Sequence, residues 1–262
     1  MKLLAGRRAL ITGSSQGVGR ALALAIARAG ADVVLHGLRR DDAACEAEES
    51  CRSLGVRVAF VEGDLSGPTT EAVQHVFEEA RRLLPGINLL VNNAGTYADV
   101  PFLEMTVESF ERTMRLNVAS HFFMTQSFAR EWVAGHIDGR VLLVGSINGR
   151  LAEPVHSAYD TSKGALEMMV RTLCVELAPR GIRVNGLAPG LFRTPLTEPA
   201  LRDPRVLQWM RHHTPNGEVP GPEVAGEAAV FLLSDAARHI HGQMLLVDGG
   251  MSAWQQPDPP DA

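Results

Sequence analysis

Short apolar runs alternate with amphipathic helical patterns along nearly the whole chain of 262 residues. The runs that predict strands are 8–12, 31–36, 56–61, 87–91, 141–144, 182–187 and 244–247, and the helical patterns cover 20–29, 40–54, 69–84, 107–133, 158–177 and 223–233. Strands that alternate with helices predict an α/β fold, with a doubly wound parallel sheet of about seven strands and helices on both faces.

No linker interrupts this alternation, so residues 1–254 are predicted to form a single domain. Within it, residues 191–221 are rich in proline and are predicted to be irregular. Residues 255–262 are rich in Pro and Asp, a composition typical of a disordered C-terminal tail.

Polar residues and glycines follow five of the predicted strands directly. Gly13, Asp64, Asn93, Ser146 and Pro189 each come just after a strand. The carboxyl ends of parallel strands meet at one edge of a sheet, where open α/β folds bind their ligands. We therefore expect these five positions to surround one site.

A glycine-rich turn links the first strand to the first helix, with the spacing Gly13-x-x-x-Gly17-x-Gly19. Glycines let the backbone approach a pyrophosphate closely, and a helix N-terminus offers free N–H groups and the positive end of its dipole. The alternative is a tight turn between strand and helix without any ligand.

Ser146 follows the fifth strand, and Tyr159 and Lys163 lie four residues apart in a helical pattern. Residues with this spacing share a helix face. A nearby ammonium group favours the phenolate and lowers the pKa of a tyrosine, and a hydroxyl across the cleft can hold a substrate oxygen against the phenol. The alternative is an ordinary amphipathic helix start with a solvated lysine.

Composition argues against several classes of partner. The net charge of −5 leaves no basic excess to neutralise phosphates, so nucleic acid is not expected. No run of 18 apolar residues predicts a membrane span, and the N-terminal apolar run is too short for a signal peptide. The three cysteines lack a metal or disulfide spacing, and His212-His213 has no third ligand at metal spacing. We expect a cytoplasmic protein without a bound metal.

Taken in order, the motifs resemble the short-chain dehydrogenase/reductase family over residues 6–251. They are Thr12-Gly13-x-x-x-Gly17-x-Gly19, Asp64, Asn92-Asn93-Ala94-Gly95, Asn117, Ser146, Tyr159-x-x-x-Lys163, Pro189-Gly190 with Thr194, and Val247-Asp248-Gly249-Gly250. The resemblance implies a Rossmann-type, NAD(P)-binding catalytic domain. It also implies an oxidoreductase that acts on CH–OH donors (EC 1.1.1.-) and interconverts a secondary alcohol and a ketone by hydride transfer.

The resemblance further implies a catalytic tetrad. Tyr159 would be the general acid/base, Lys163 would lower its pKa and bind the nicotinamide ribose, Ser146 would hold the substrate oxygen, and Asn117 would position a water in a proton relay. The cofactor contacts that it implies are Gly13, Ser15, Gln16, Gly17, Val18, Gly19, Gly37, Arg39, Arg40, Asp64, Leu65, Asn93, Ala94, Gly95, Tyr159, Lys163, Pro189, Gly190, Phe192 and Thr194. Asn117 bending its helix, and Asp64 as a turn residue, stay open as alternatives.

The end of the second strand favours NADP over NAD. It carries no acidic residue to bond a ribose 2′-OH, whereas Arg39 and Arg40 follow it and could meet a 2′-phosphate. Gln16 and Leu38 depart from the basic residues that many NADP users carry, and Asp41 and Asp42 could neutralise the arginines, so NAD stays open.

The substrate is expected to be a small molecule held between two walls. Ser146, Asn148, Glu153, His156 and Tyr159 are predicted to contact it, with Tyr97 nearby, and residues 191–221 are predicted to cover it as a lid. This mixture suits a sugar or polyol, a 3-oxoacyl thioester or a cyclic ketone. A catalytically retired nucleotide-binding regulatory protein is the alternative function.

The helices around Asn117 and Tyr159 carry apolar residues on more than one face. Phe122, Phe123 and Phe128 form one group, and Leu166, Met168, Met169, Val170, Leu173 and Val175 form the other. A helix that is apolar around most of its girth should be covered on both sides. In the resembled family these helices form a dimer contact, so we predict a homotetramer, or failing that a dimer.

Overall fold

The computed structural model describes residues 2–254, and the predicted disordered tail at 255–262 lies outside them. The strands are β1 (Arg8–Ile11), β2 (Asp32–Gly37), β3 (Val58–Glu62), β4 (Leu89–Asn92), β5 (Arg140–Val144), β6 (Arg183–Pro189) and β7 (Met244–Val247). The helices are α1 (Gly17–Arg28), α2 (Asp42–Arg52), α3 (Thr69–Leu83), α4 (Val107–Met114), α5 (Ser120–Ala134), α6 (Ser157–Leu177), α7 (Glu198–Leu201), α8 (Pro204–His212) and α9 (Gly226–Leu233).

All seven strands form one parallel sheet in the order β3-β2-β1-β4-β5-β6-β7. The chain order reverses between β1 and β4, which pair through Leu10 and Leu90. Such a reversal opens a crevice at the carboxyl ends of the strands. The predicted α/β class and the doubly wound sheet are confirmed.

Apolar clusters cover both faces of the sheet. One cluster packs α1 and α9 on one face around Leu22, Ile26 and Val230, and the other packs α3, α5 and α6 on the opposite face around Val76 and Phe128. Every residue of β4, β5 and β6 is buried, as expected for strands covered on both sides.

The helical region predicted over 107–133 is present, but it is not a single regular α-helix. A π-helical turn, Arg115–Ala119, separates α4 from α5, so that the N–H of Ser120 bonds to the carbonyl of Arg115. The Asn117 side chain bonds to a neighbouring loop at this turn. The periodicity of the sequence does not register a single inserted residue, and such π-bulges are common at functional sites.

The prediction that residues 191–221 are irregular was wrong in part, because α7 and α8 lie within them. Asp203 caps α8 by accepting a hydrogen bond from the N–H of Arg205, and Pro204 occupies the first turn. Proline is favoured there, since its missing N–H would have no helical partner. The proline content therefore marked a helix start as well as loops.

The outer faces of α5 and α6 differ from the predicted grouping. Phe128 lies in the core, as do Leu166, Met169, Val170 and Leu173, whereas Phe122 and Phe123 on α5 and Met168 and Val175 on α6 are exposed. Each helix thus has an apolar inner face and apolar residues on its outer face. Within residues 2–254, no helix is long and apolar enough to cross a membrane.

Candidate active site

The glycine-rich turn packs directly against the loop that follows β4. Gly13 has a φ of 62°, and a Cβ there would lie 2.8 Å from Cα of Ala94. A Cβ on Gly19 would collide with the carbonyl oxygen of Gly13 and with the Asn93 amide. The Asn93 Nδ2 group donates to the carbonyls of Thr12 and Gly13, at 3.0 and 2.9 Å. The predicted residues Gly13, Gly19 and Asn93 are thus brought together.

His36 at the end of β2 was not predicted, although it joins two loops of this edge. Its Nδ1 accepts from the N–H of Gly13 at 3.1 Å, and its Nε2 lies 3.1 Å from the carbonyl of Gly63. The ring is buried, and burial lowers its pKa to about 4, so it is neutral at pH 7. A neutral ring with Nε2–H satisfies both contacts. A histidine ending an otherwise apolar strand was the available signal.

The N-terminus of α1 fits a pyrophosphate. Its N-cap residue, Gln16, has an extended backbone and makes no side-chain capping bond, and no acidic residue lies in the first turn. The first-turn N–H groups therefore have no side-chain acceptor, and the glycines leave room for backbone approach. These residues suit the phosphates of a dinucleotide.

Gly37, Arg39, Arg40 and Asp64 lie together at the ends of β2 and β3. The Ser15 hydroxyl would be 3.3 Å from a Cβ on Gly37, so only a small residue fits there. Asp64 Oδ1 accepts from the N–H and hydroxyl of Ser66, and these bonds lower the pKa of Asp64. Asp64 is therefore a turn residue, in agreement with the alternative given for it above. Its Oδ2 atom is free to accept a hydrogen bond from a ligand.

Arg40 fits the predicted phosphate contact poorly. Its Nε donates to the buried Glu48 at 2.8 Å, and its N–H donates to Glu62 at 3.0 Å. Asp41 does not neutralise it, because Asp41 caps α2 by accepting from Ala44. Arg39 is exposed at the same edge.

Val18, Leu65 and Phe192 were predicted to contact the cofactor, but their side chains pack with the core clusters. Phe192 is buried in the same cluster as Leu22, and Leu65 in the same cluster as Val61. The side chain of Val18 is partly exposed.

The loop at 93–96 is held in place by Asn117. Asn117 Oδ1 accepts from the N–H of Thr96, and its Nδ2 donates to the carbonyl of Thr96 and to the hydroxyl of Ser162, all within 3.0 Å. Both amide hydrogens are thereby used. This geometry agrees with the alternative interpretation of Asn117, in which the residue lies at a helix distortion and bonds to a neighbouring carbonyl. Gly95 lies against the same side chain.

Ser146, Tyr159 and Lys163 meet at the end of β5. The Ser146 hydroxyl accepts from the N–H of Asn148 at 3.1 Å and caps a short turn. Lys163 is buried, donates to the carbonyl of Val144 at 3.1 Å, and holds its Nζ 5.4 Å from the centre of the Tyr159 ring. A hydroxyl, a phenol and an ammonium group thus line one end of the cleft.

The expected lowering of the Tyr159 pKa by Lys163 is not what the site shows. Burial raises the pKa of Tyr159 to about 12, and the hydrogen bond from Ser146 opposes this only in part. Burial lowers the pKa of Lys163 to about 8. Burial therefore keeps the phenol neutral at pH 7, and it can donate a proton.

The side of the cleft opposite Lys163 carries His156, Tyr97 and two carboxylates. His156 Nε2 lies 2.6 Å from Asp99, and its Nδ1 lies 3.0 Å from Glu153, an ion-pair distance without hydrogen-bond geometry. The rings of Tyr97 and Tyr159 lie 5.8 Å apart, and those of His156 and Tyr159 lie 6.1 Å apart. The predicted residues His156 and Glu153 therefore lie near the phenol.

Asp160 was not predicted, but it orders the segment between Ser146 and Tyr159. Its Oδ1 accepts from Asn148 Nδ2 at 2.9 Å, and its Oδ2 accepts from the N–H of Glu153 at 3.0 Å. Asp99 was missed as well. In an amphipathic helix, a carboxylate directly after the tyrosine is usually a solvated side chain, which is why Asp160 did not stand out.

The segment after β6 closes over the glycine-rich turn. Gly190 lies so close to Asp248 that a Cβ there would be 2.8 Å from its Cα, and the Thr194 side chain would meet a Cβ on Gly17. Thr194 bonds to Thr197, which anchors to the carbonyl of Phe192. Pro189, the last residue of β6, precedes this group. The predicted residues thus gather at one edge, as the strand ends required.

Comparison with known proteins points to the same chemistry. A family model described as enoyl-(acyl carrier protein) reductase matches residues 13–252. The chain is 35% identical to L-rhamnose 1-dehydrogenase (NADP(+)) of Thermoplasma acidophilum, covering 94% of this chain and 96% of that one. It is 34% identical to 3-oxoacyl-[acyl-carrier-protein] reductase FabG of Aquifex aeolicus, over 95% of this chain and 98% of that one.

Among solved structures, a gluconate 5-dehydrogenase from Burkholderia cenocepacia in complex with NADP and tartrate superposes with a TM-score of 0.90. It is 32% identical, and the match covers 97% of this chain and 98% of that chain. These similar proteins are dehydrogenases and reductases, and they lend no support to a retired regulatory protein. By this family match and these identities, the chain belongs to the short-chain dehydrogenase/reductase family of NAD(P)-dependent oxidoreductases.

Proposed function

We propose that this chain is an NADP-preferring dehydrogenase that interconverts a hydroxyl and a carbonyl group on a sugar or polyol. The observation that carries the proposal is the meeting of Ser146, Tyr159 and the buried Lys163 at one end of the cleft. A protein that only binds nucleotides has no use for a buried ammonium group beside a phenol, since burying a charge is costly.

The proposed roles follow from the donors available. When bound, the nicotinamide supplies or accepts the hydride. Ser146 holds the substrate oxygen, and Tyr159 donates its proton to that oxygen in the direction of reduction and removes it in the direction of oxidation. Because burial raises the pKa of Tyr159 to about 12, the phenol carries its proton at pH 7, as reduction requires.

Lys163 and Asn117 support the proton transfer in this proposal. The ammonium of Lys163 stabilises the phenolate that forms when Tyr159 gives up its proton, and it can also reach a ribose hydroxyl of the cofactor. Asn117 ties the loop at 93–96 to α6. Both of its amide hydrogens are used, so a proton relay through water would use an oxygen atom of Asn117.

The preference for NADP rests on Arg39. Arg40 is held by Glu48, and no acidic residue ends β2. The NADP named in similar proteins supports the same choice. Arg39→Ala should raise KM for NADP about tenfold or more and leave KM for NAD unchanged, because only NADP has a 2′-phosphate.

Arg52→Ala on α2, which removes another exposed arginine, is the matched control. Equal Michaelis constants for NADP in wild type and Arg39→Ala would contradict the assignment of Arg39 to the phosphate.

The substrate class rests on the polarity of the cleft wall. His156, Glu153, Asp99 and Asn148 offer hydrogen-bonding groups that suit several hydroxyls. An apolar cyclic ketone would leave these groups without partners, which is unfavourable. Sugar-related names among similar proteins favour the same class.

The remaining proposals concern the frame around this site. Residues 1–254 act as one catalytic domain, in which α7 and α8 belong to a lid over the substrate at 191–221. The exposed Phe122, Phe123, Met168 and Val175 support a homotetramer built on α5 and α6. The unpaired thiols of Cys45, Cys51 and Cys174 suit the reducing conditions of the cytoplasm.

A cofactor-coupled absorbance screen tests the proposal. Sugars, polyols, 3-oxoacyl thioesters and cyclic ketones are offered with NADP(H) and with NAD(H) in both directions. We expect turnover of at least one sugar or polyol, faster with NADP(H). Turnover of a 3-oxoacyl thioester alone would contradict the substrate class, and no cofactor-dependent turnover of any compound would contradict the function.

A further inference from the structure

One wall of the cleft is lined by carboxylates that solvent reaches. The side chains of Asp99 and Glu153 are 64% and 42% exposed, and both lie against His156 at 2.6 and 3.0 Å. Two carboxylates and one imidazolium sum to a net charge of −1 (−2 + 1), and a neutral imidazole would leave −2. The group is therefore negative in either state of His156.

Asp160 adds a third carboxylate beside the phenol. It faces Asn148 and the backbone of Glu153, with no cation among its hydrogen-bond partners. The negative field reaches the reacting group: after burial, Asp160 and Glu153 raise the pKa of Tyr159 further. Asp99 and Glu153 likewise raise the pKa of the neighbouring Tyr97.

The arginine nearest in sequence to Glu153 is paired with another carboxylate, since Arg150 donates to Glu167 at 2.5 Å. Arg193, in the segment after β6, lies 3.4 Å from Glu198. Lys163 donates to the carbonyl of Val144. These cations therefore do not cancel the charge of Asp99, Glu153 and Asp160.

We infer that the cleft selects an uncharged polyhydroxy substrate, such as the ring form of a sugar, over a carboxylate-bearing analogue of the same size. Carboxylates accept hydrogen bonds from sugar hydroxyls, whereas they repel a substrate carboxylate. The inference rests on the proposed function. It separates this chain from a dehydrogenase of sugar acids, although similar proteins include both kinds by name.

Steady-state kinetics with matched neutral and anionic substrates test the inference. L-rhamnose and D-glucose are compared with D-gluconate as substrates, at low salt and at about 1 M salt, in wild type and in Asp99→Asn/Glu153→Gln. We expect wild type to favour a neutral sugar. The double variant should raise kcat/KM for gluconate roughly fivefold for each carboxylate removed, the factor expected for unit charges about 4 Å apart in water.

High salt should raise the relative kcat/KM for gluconate in wild type by screening, so the inference stays testable even if the double variant fails to fold. Glu78→Gln, which removes one carboxylate charge from α3, is the control for each carboxylate removed and should leave the preference unchanged. If wild type has the same kcat/KM for gluconate as for the neutral sugars at both salt concentrations, the inference is overturned and the proposed function stands. If none of the three is used, the neutral sugar found in the cofactor-coupled screen and its carboxylate-bearing analogue take their place, and no turnover of any sugar or polyol would overturn both.

Discussion

Replacing Lys163 with methionine should make the cofactor-free protein more stable while abolishing turnover. Lys163 is buried, and its one protein hydrogen bond goes to the carbonyl of Val144. Burial lowers the pKa of this lysine from 10.5 to about 8. Methionine has a similar length and flexibility and carries no charge to bury.

The size of the effect follows from the pKa. One pKa unit corresponds to about 1.4 kcal/mol, so the depression from 10.5 to about 8 costs the folded state about 3 kcal/mol at pH 7. Loss of the hydrogen bond to Val144 lowers the stability of the variant by about 1 kcal/mol and so offsets part of this gain. The net gain is about 2 kcal/mol, which for a domain of this size raises Tm by roughly 4–8 °C.

The pH dependence has a definite sign. The folded pKa lies below the unfolded pKa, so between them the unfolded chain binds more protons and stability rises with pH. Wild type should therefore gain stability from pH 8 toward pH 10.5, and Lys163→Met should lack this gain. The advantage of the variant is full below pH 8 and disappears as the pH approaches 10.5.

Urea unfolding of the cofactor-free protein, at one protomer concentration and several pH values, measures the difference. Arg171→Met, on the exposed side of the same helix, is the matched control and should change the free energy of unfolding by less than about 0.5 kcal/mol. A Lys163→Met variant that is less stable than wild type at pH 7, with a difference independent of pH, would refute the reasoning.

Two further predictions concern the cofactor edge. His36→Asn keeps an acceptor near Gly13 but loses the bond to Gly63, so we expect severalfold weaker NADP binding in a titration. The pKa of His36 is about 4 in the folded protein and 6.5 in the unfolded chain, so this residue makes the wild type less stable as the pH drops from 6.5 to 4. The stability of His36→Asn should therefore fall less over this pH range. The same pH dependence in wild type and variant, measured by urea unfolding, would count against this. Gly19→Ala places a methyl group on the Gly13 carbonyl and should abolish NADP binding, whereas Gly164→Ala, whose Cβ would be 3.8 Å from its nearest neighbour, should bind normally. Normal binding by Gly19→Ala would contradict the close packing of the turn.

The sequence was sufficient to predict the fold and the edge where the site lies. Short apolar runs located all seven strands to within about two residues. The rule that ligands meet the carboxyl ends of parallel strands predicted that Gly13, Asn93 and Ser146 share one edge of the sheet. These are local patterns, and the physics behind them acts over a few residues. They carry the family resemblance as well.

What the sequence could not supply depends on contacts between distant segments. His36 bonds to Gly13 and Gly63, which lie 23 and 27 residues away in the chain, and the residues next to it in the sequence predict neither bond. The pKa of Tyr159 is raised chiefly by burial, and that burial depends on segments distant in the chain, such as the one that holds Tyr97. The π-turn at Asn117 and the pairing of Arg40 with Glu48 likewise arise only once the chain has packed.

The central claim is that Tyr159 transfers the proton in a hydride-transfer reaction. Tyr159→Phe removes only the hydroxyl and keeps the ring that lies between Tyr97 and Lys163. The measurement is kcat for the best sugar or polyol, together with the Kd for NADPH. The account predicts a kcat roughly 10²–10⁴-fold lower, the usual worth of a general acid, with Kd within threefold of wild type. A kcat close to that of wild type would contradict it.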